Sequence, residues 1–159
     1  MPVDGGRVSA RLGELGLTLP PVAAPVADYV PAVRTGDLVF TSGQLPFVDG
    51  RLPVTGSVGA EDAAVSPEDA AAYARTATLN ALAAVHDLVG IDNVVQVVKV
   101  VGFVASAAGF GGQPAVVNGA SELLGEVFGD AGAHARSAVG VAELPLGSPV
   151  EVELIVRVA

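Results

Sequence analysis

The chain has 159 residues, 51% of them apolar and only 16% charged, against about 25% charged in an average domain. Eight lysines and arginines stand against seventeen acids, for a net charge of −9, and the cations are scattered, with no basic stripe or aromatic ladder of the kind that nucleic-acid binding needs. Cysteine is absent, which excludes a disulfide frame, a thiolate nucleophile and a cysteine-built zinc site.

Residues 7–17 read as a short helix ending near Gly16, after which Pro20, Pro21, Pro25 and Pro31 impose extended or turn structure. This N-terminal stretch carries Asp4, Arg7, Arg11 and Glu14 and lacks the apolar block of a secretion signal. No apolar run approaches the roughly 18 residues that a membrane span requires, so a cytoplasmic protein is expected. Val33 to Ser42 reads as two short strands around Thr35-Gly36-Asp37, followed by a turn-rich stretch over 43–60.

Ser66-Pro67-Glu68-Asp69 is a helix start: Ser66 can cap, Pro67 suits the first helical position, and the two acids complement the dipole. Ala70, Ala74, Ala77, Ala81 and Ala84 follow at helical spacing until Gly90. Residues 93–104 are valine-rich on both alternating faces, which predicts a strand buried on two sides. A second helix is predicted over 114–128, with Val116, Val117, Ala120, Leu123, Leu124, Val127 and Phe128 on one face. Strands over 136–143 and 150–158 close the chain, the last with Val150, Val152, Leu154, Val156 and Val158 on one side.

The resulting β-β-α-β-α-β-β order predicts an α+β fold, a mixed sheet with two long helices on one face. If strand 93–104 is apolar on both faces, the uncovered face needs another subunit. We expect the last two strands to form a hairpin across Leu144–Pro149, with residue 142 opposite Glu151 and residue 136 opposite Arg157. That register separates Arg136 from Glu151 by roughly 20 Å at about 3.3 Å per residue, so the two could share a ligand only across a subunit interface. Arg136 itself starts a strand and shares a face with Ala138, Gly140 and Ala142. Its planar two-donor fork suits a carboxylate, and small neighbours leave room for an acid of a few carbons. An ordinary surface arginine fits the same spacing.

With these elements in order, the chain resembles the YjgF/Rid family, the RidA-like or endoribonuclease L-PSP-like proteins. The resemblance runs from Tyr29 to the end and rests on Thr41-Ser-Gly-Gln-Leu-Pro46, Asn80, the valine strand into Phe103, and Val117-Asn118. It continues through Ala135-Arg136-Ser137, Leu144-Pro145 and Val150-Glu-Val-Glu153. Arg11 to Pro20, the block Asn118-Gly-Ala-Ser-Glu-Leu-Leu and His134-Ala-Arg136 resemble a branch of roughly 150 residues within the family. The resemblance implies a single chorismate-mutase-like domain over 1–159, with 1–28 as an N-terminal extension, assembled as a homotrimeric barrel with clefts between subunits. It also implies cofactor-independent hydrolysis of enamines or imines such as 2-aminoacrylate to 2-keto acids and ammonia. Carried over by position, Arg136 anchors the substrate carboxylate and Glu151 orients or activates water. Tyr29 and Asn118 line the cleft, and Gly43 is a backbone wall. Ala138 stands where the founding group has a cysteine, which leaves open a non-catalytic, keto-acid-binding trimer.

The remaining polar residues carry less. His134 invites an acid–base role, but a histidine beside a strand start is commonly a cap or solvated, and His86 falls at a helix end. Neither has metal-ligand spacing. Gly109-Phe-Gly-Gly112 lacks the Gly-Lys-Ser/Thr ending of a phosphate loop. Ser42 and Ser137 have no His/Asp partners for a triad. No metal, cofactor, membrane or nucleic acid is expected.

Overall fold

The computed structural model describes residues 6–25, 27–59 and 62–159. Helix α1 spans Arg7–Glu14 and is followed by strands β1, Ala32–Thr35, and β2, Leu38–Thr41. Next come α2, Pro67–Val89, β3, Val94–Ala105, α3, Gln113–Phe128, β4, Ala135–Val141, and β5, Val150–Val158. The sheet order is β1-β2-β5-β3-β4.

Helix α2 begins as its sequence dictates: the Ser66 hydroxyl accepts from the Asp69 N–H at 3.1 Å, and Pro67 occupies the first turn. It ends at Gly90, whose φ of 81° suits a residue without a side chain. The alanine stripe Ala70, Ala74, Ala77, Ala81 and Ala84 is buried throughout. Small residues let α3 come very close. A Cβ on Gly119 would overlap the carbonyl of Ala71, so this contact requires glycine. On α3, all seven apolar residues expected on one face are buried, each fully buried Val or Leu worth about 1.5–3 kcal/mol. The short α1 is fastened from outside itself: Asp92 accepts from the Ser9 N–H at 2.8 Å and the Ser9 hydroxyl at 2.7 Å.

β2–α2–β3 and β3–α3–β4 each join parallel strands in one sheet, stepping in the same direction across it. Crossovers of one hand and one direction place both helices on the same face. Val94, Val97, Val100 and Val104 of β3, with Val150, Val152, Leu154, Val156 and Val158 of β5, are buried beneath them.

One expectation changes here. The last two strands do not form a hairpin. β4 pairs in parallel with β3, Val100 opposite Arg136 and Gly102 opposite Ala138, while β5 lies antiparallel on the other side of β3. The long apolar β3 takes a central place with a neighbour on each edge. Residues 142–149 step over its end, a span of about 10 Å for two strand spacings. Strand β4 also stops at Val141, so Ala142 lies outside it. Within the chain β3 is covered on one side, as two helices on one face of the sheet imply. Its second face, with Phe103 and Val101, is only partly covered, and Val33, Phe40 and Val139 on that side are 53%, 39% and 41% exposed.

Candidate functional site

Beyond Phe40 the ladder between β2 and β5 breaks. Phe40 pairs with Ile155 and Gln44 bridges to Val152, so Thr41, Ser42 and Gly43 oppose only Glu153 and Leu154. This is a bulge of one extra residue. The Thr41 hydroxyl takes the N–H of Leu154 at 2.9 Å, and Gln44 exchanges backbone hydrogen bonds with Val152 at 2.8 and 3.0 Å. The bulge brings the Gly43 backbone against Glu151, whose carboxylate occupies the space where a Cβ on Gly43 would stand. Tyr29, Gly43 and Glu151 line one small cavity of about 50 Å³, with Pro31, Gln44 and Pro145 among its other walls. Burial, and secondarily the charge of Glu153, push the Glu151 carboxyl above the usual carboxylate range.

The other candidates sit elsewhere. Arg136 lies on edge strand β4, on the face covered by α3, and runs along that helix's flank. One Nη1 donates to Asn118 Oδ1 at 2.8 Å and to Ser121 Oγ at 3.2 Å, while Nη2 donates to the Pro114 carbonyl at 3.1 Å. Pro114, Asn118 and Ser121 stand at i, i+4 and i+7, one stripe of the helix. Among the described residues, no acceptor meets the Nε–H or the second Nη2–H. Ala138 follows Arg136 on the same face. The space expected past it is partly filled, because Gln113 Nε2 and Ser106 Oγ lie 2.7 and 3.0 Å from where a Gly140 Cβ would be.

The structure thus gathers the candidates into two groups, Tyr29–Gly43–Glu151 and Arg136–Asn118–Ala138. Arg136 is level with Val100 of β3 and Glu151 with Phe103. An odd step of three puts their side chains on opposite faces of the sheet, about 10 Å apart along the strand direction and two strands apart across it. One chain cannot bring both to a single ligand.

His134, expected as a cap or a solvated residue, is tied on both ring nitrogens: Nδ1 meets the Gly132 carbonyl at 2.6 Å and Nε2 meets Ser121 Oγ at 2.8 Å. Ser121 had no assigned part; the spacing of 114, 118 and 121 opposite Arg136 was the available signal. His86 accepts the Ile91 N–H at 3.1 Å and so closes the end of α2. Asn80 is buried and donates to the Leu45 and Phe47 carbonyls at 3.0 and 3.1 Å, fixing the loop that walls the Glu151 cavity. A wider groove of about 860 Å³ beside this loop, between residues 18–24 and Leu79, contains none of the candidates. Among the described residues no group of three or more His, Asp or Glu converges to hold a metal ion, and no helix is long and apolar enough to cross a membrane.

A five-stranded mixed sheet carrying two helices on one face, with an arginine on its edge strand, defines an α+β protein of the chorismate-mutase-like class. Residues 9–158 match the family described as "YjgF/chorismate mutase-like, putative endoribonuclease", and the chain belongs to that family. Protein TCP17 of Trypanosoma cruzi is 42% identical over 157 residues, 98% of this chain and 96% of the relative. The solved structure of Atu1372, a protein with unknown function from Agrobacterium tumefaciens, has a TM-score of 0.87 at 40% identity, covering 98% of this chain and 94% of that one. The YjgF gene product of E. coli matches with a TM-score of 0.61 at 30% identity, over 86% and 92% of the two chains.

Proposed function

We propose that the protein is a RidA-like deaminase that hydrolyses small, reactive, carboxylated enamines and imines of the 2-aminoacrylate type. The products are 2-keto acids and ammonia, and the reaction needs no cofactor. The observation that carries this reading is Arg136: three of its N–H groups are held by α3, and the Nε–H and one Nη2–H are left for a planar anion. The clefts would form between copies of a homotrimer, where Arg136, Asn118 and Ala138 of one subunit meet the Glu151, Gly43 and Tyr29 group of the next. The partly covered apolar sheet face supports such assembly.

The reaction asks little of the protein. An imine, once protonated, is already electrophilic at its carbon. Arg136 would hold the substrate carboxylate and so fix that carbon against an ordered water. Glu151, its carboxyl raised by burial and by Glu153, is suited to take a proton from water as it attacks and return it to the departing nitrogen. One water is consumed; the C–N bond breaks and ammonia leaves.

The test is release of keto acid when 2-aminoacrylate is generated in the presence of purified protein. Wild type should exceed buffer and Arg136→Ala should not; a wild-type rate equal to buffer defeats the proposal. Ala138 places no proton-carrying side chain beside Arg136, which favours as second reading a trimer that binds keto acids without turnover. Saturable binding of a keto acid with no hydrolysis would select it. RNA cleavage is disfavoured by the net charge of −9.

A further inference from the structure

We infer that Ser121 and His134 are positioning residues, forming with the Gly132 carbonyl a hydrogen-bond relay that fixes which edge of the Arg136 guanidinium faces an incoming carboxylate. The inference rests on the reading of Arg136 as the carboxylate anchor, and it adds two residues that act through that arginine and touch no substrate.

The direction of each bond follows from its end points. A backbone carbonyl only accepts, so His134 Nδ1 carries the proton in the 2.6 Å contact with Gly132. In the neutral ring Nε2 is then an acceptor, and the Ser121 hydroxyl donates to it at 2.8 Å. With its proton so directed, Ser121 Oγ turns a lone pair toward Arg136 Nη1, 3.2 Å away. The behaviour of Ser121 is unlike that of its counterparts on α2. Thr76 and Thr78 bond back to their own helix, to the Ala72 and Ala74 carbonyls. Ser121 instead points outward between two other side chains.

Both protons of Nη1 are thereby spent, one on Asn118 and one on Ser121. The arginine side chain turns readily about its methylene torsions, and a planar guanidinium held at a single point could present either edge. Held on Nη1 by two acceptors and on Nη2 by Pro114, it presents Nε–H with the remaining Nη2–H. Asn118 is exposed on the helix surface, whereas Ser121 and His134 are half-buried, so the relay supplies the less solvated of the two fixings on Nη1.

The test uses the assembled full-length protein with Ser121→Ala, His134→Leu and their double variant, and with Ser121→Thr and His134→Gln as conservative replacements. Loss of orientation should raise KM for the imine and Kd for pyruvate about tenfold in the first two, with kcat within about twofold. The double variant should be no worse than either single change, because both break one chain. Threonine and glutamine, which keep the hydroxyl and an acceptor, should restore wild-type values. Imidazole ¹⁵N spectra should show the Nδ1–H tautomer in wild type and a shifted Nε2 signal in Ser121→Ala. Unchanged KM and Kd in the single variants, additive losses in the double, or an Nε2–H tautomer would each overturn the relay. Absence of turnover in wild type would instead sink the deaminase reading, and pyruvate binding with the ring spectra would still decide the relay.

Discussion

The carboxylate of Glu151 lies over the backbone of Gly43, in the volume that any larger residue at position 43 would claim for its Cβ. Gly43 has no positive φ, so alanine suits its backbone; what must yield is the far end of the glutamate. Gly43→Ala should therefore leave the melting temperature within a few degrees of wild type while lowering keto-acid release by at least about tenfold, a loss of positioning and not of folding. Retained activity with a large loss of stability would show that the glycine serves packing alone.

The raised carboxyl of Glu151 has a stability consequence of definite sign. Its folded form holds a proton more tightly than the unfolded chain does, because burial, and then Glu153, disfavour the charge. That advantage is present below the ordinary glutamate value of 4.5 and is lost as pH rises through the raised folded value. Glu151→Gln should thus melt higher than wild type at neutral pH, with the difference closing in acid, while keto-acid release falls. Thermal melts across pH check this; a variant less stable at neutral pH contradicts it.

Gly119 meets backbone, which cannot move aside as a glutamate can. Alanine there gains helix propensity but drives a Cβ into the Ala71 carbonyl, forcing α2 and α3 apart. A net destabilisation of about 2 kcal/mol is expected, read by denaturant titration.

The exposed side of the sheet should behave as an interface. Phe40→Asp or Val139→Asp changes residues already 39% and 41% exposed, so each chain should keep its helical and strand content. Light scattering should show the proposed homotrimer in wild type and smaller species in each variant. An unchanged assembly would place the subunit contact elsewhere.

What the sequence disclosed follows from which interactions are local. Ser66-Pro67, the alanine stripe and the alternation of Val150 to Val158 each write their element into adjacent residues, and all three formed as expected. The partner of β4 was not legible. Residues 142–149 can fold back as a hairpin or step past β3, and the choice is made by β3's need for two neighbours. Separation of Arg136 from Glu151 was expected from the wrong pairing, yet it holds for another reason, since the true register sets them on opposite faces. Ser121 escaped notice because a small hydroxyl on a helix flank is ordinarily solvated, and only the parallel placement of β4 beside β3 brings Arg136 to it.

That separation yields the most direct measurement of the central claim, a cleft shared between copies. Arg136→Ala and Glu151→Gln, each assayed alone for keto-acid release from 2-aminoacrylate, should be nearly inactive. Mixed in equal amounts, dissociated and reassembled, they should recover about a quarter of the wild-type rate, the share of interfaces that pair an intact arginine with an intact glutamate. A mixture no more active than its separate components would contradict the account.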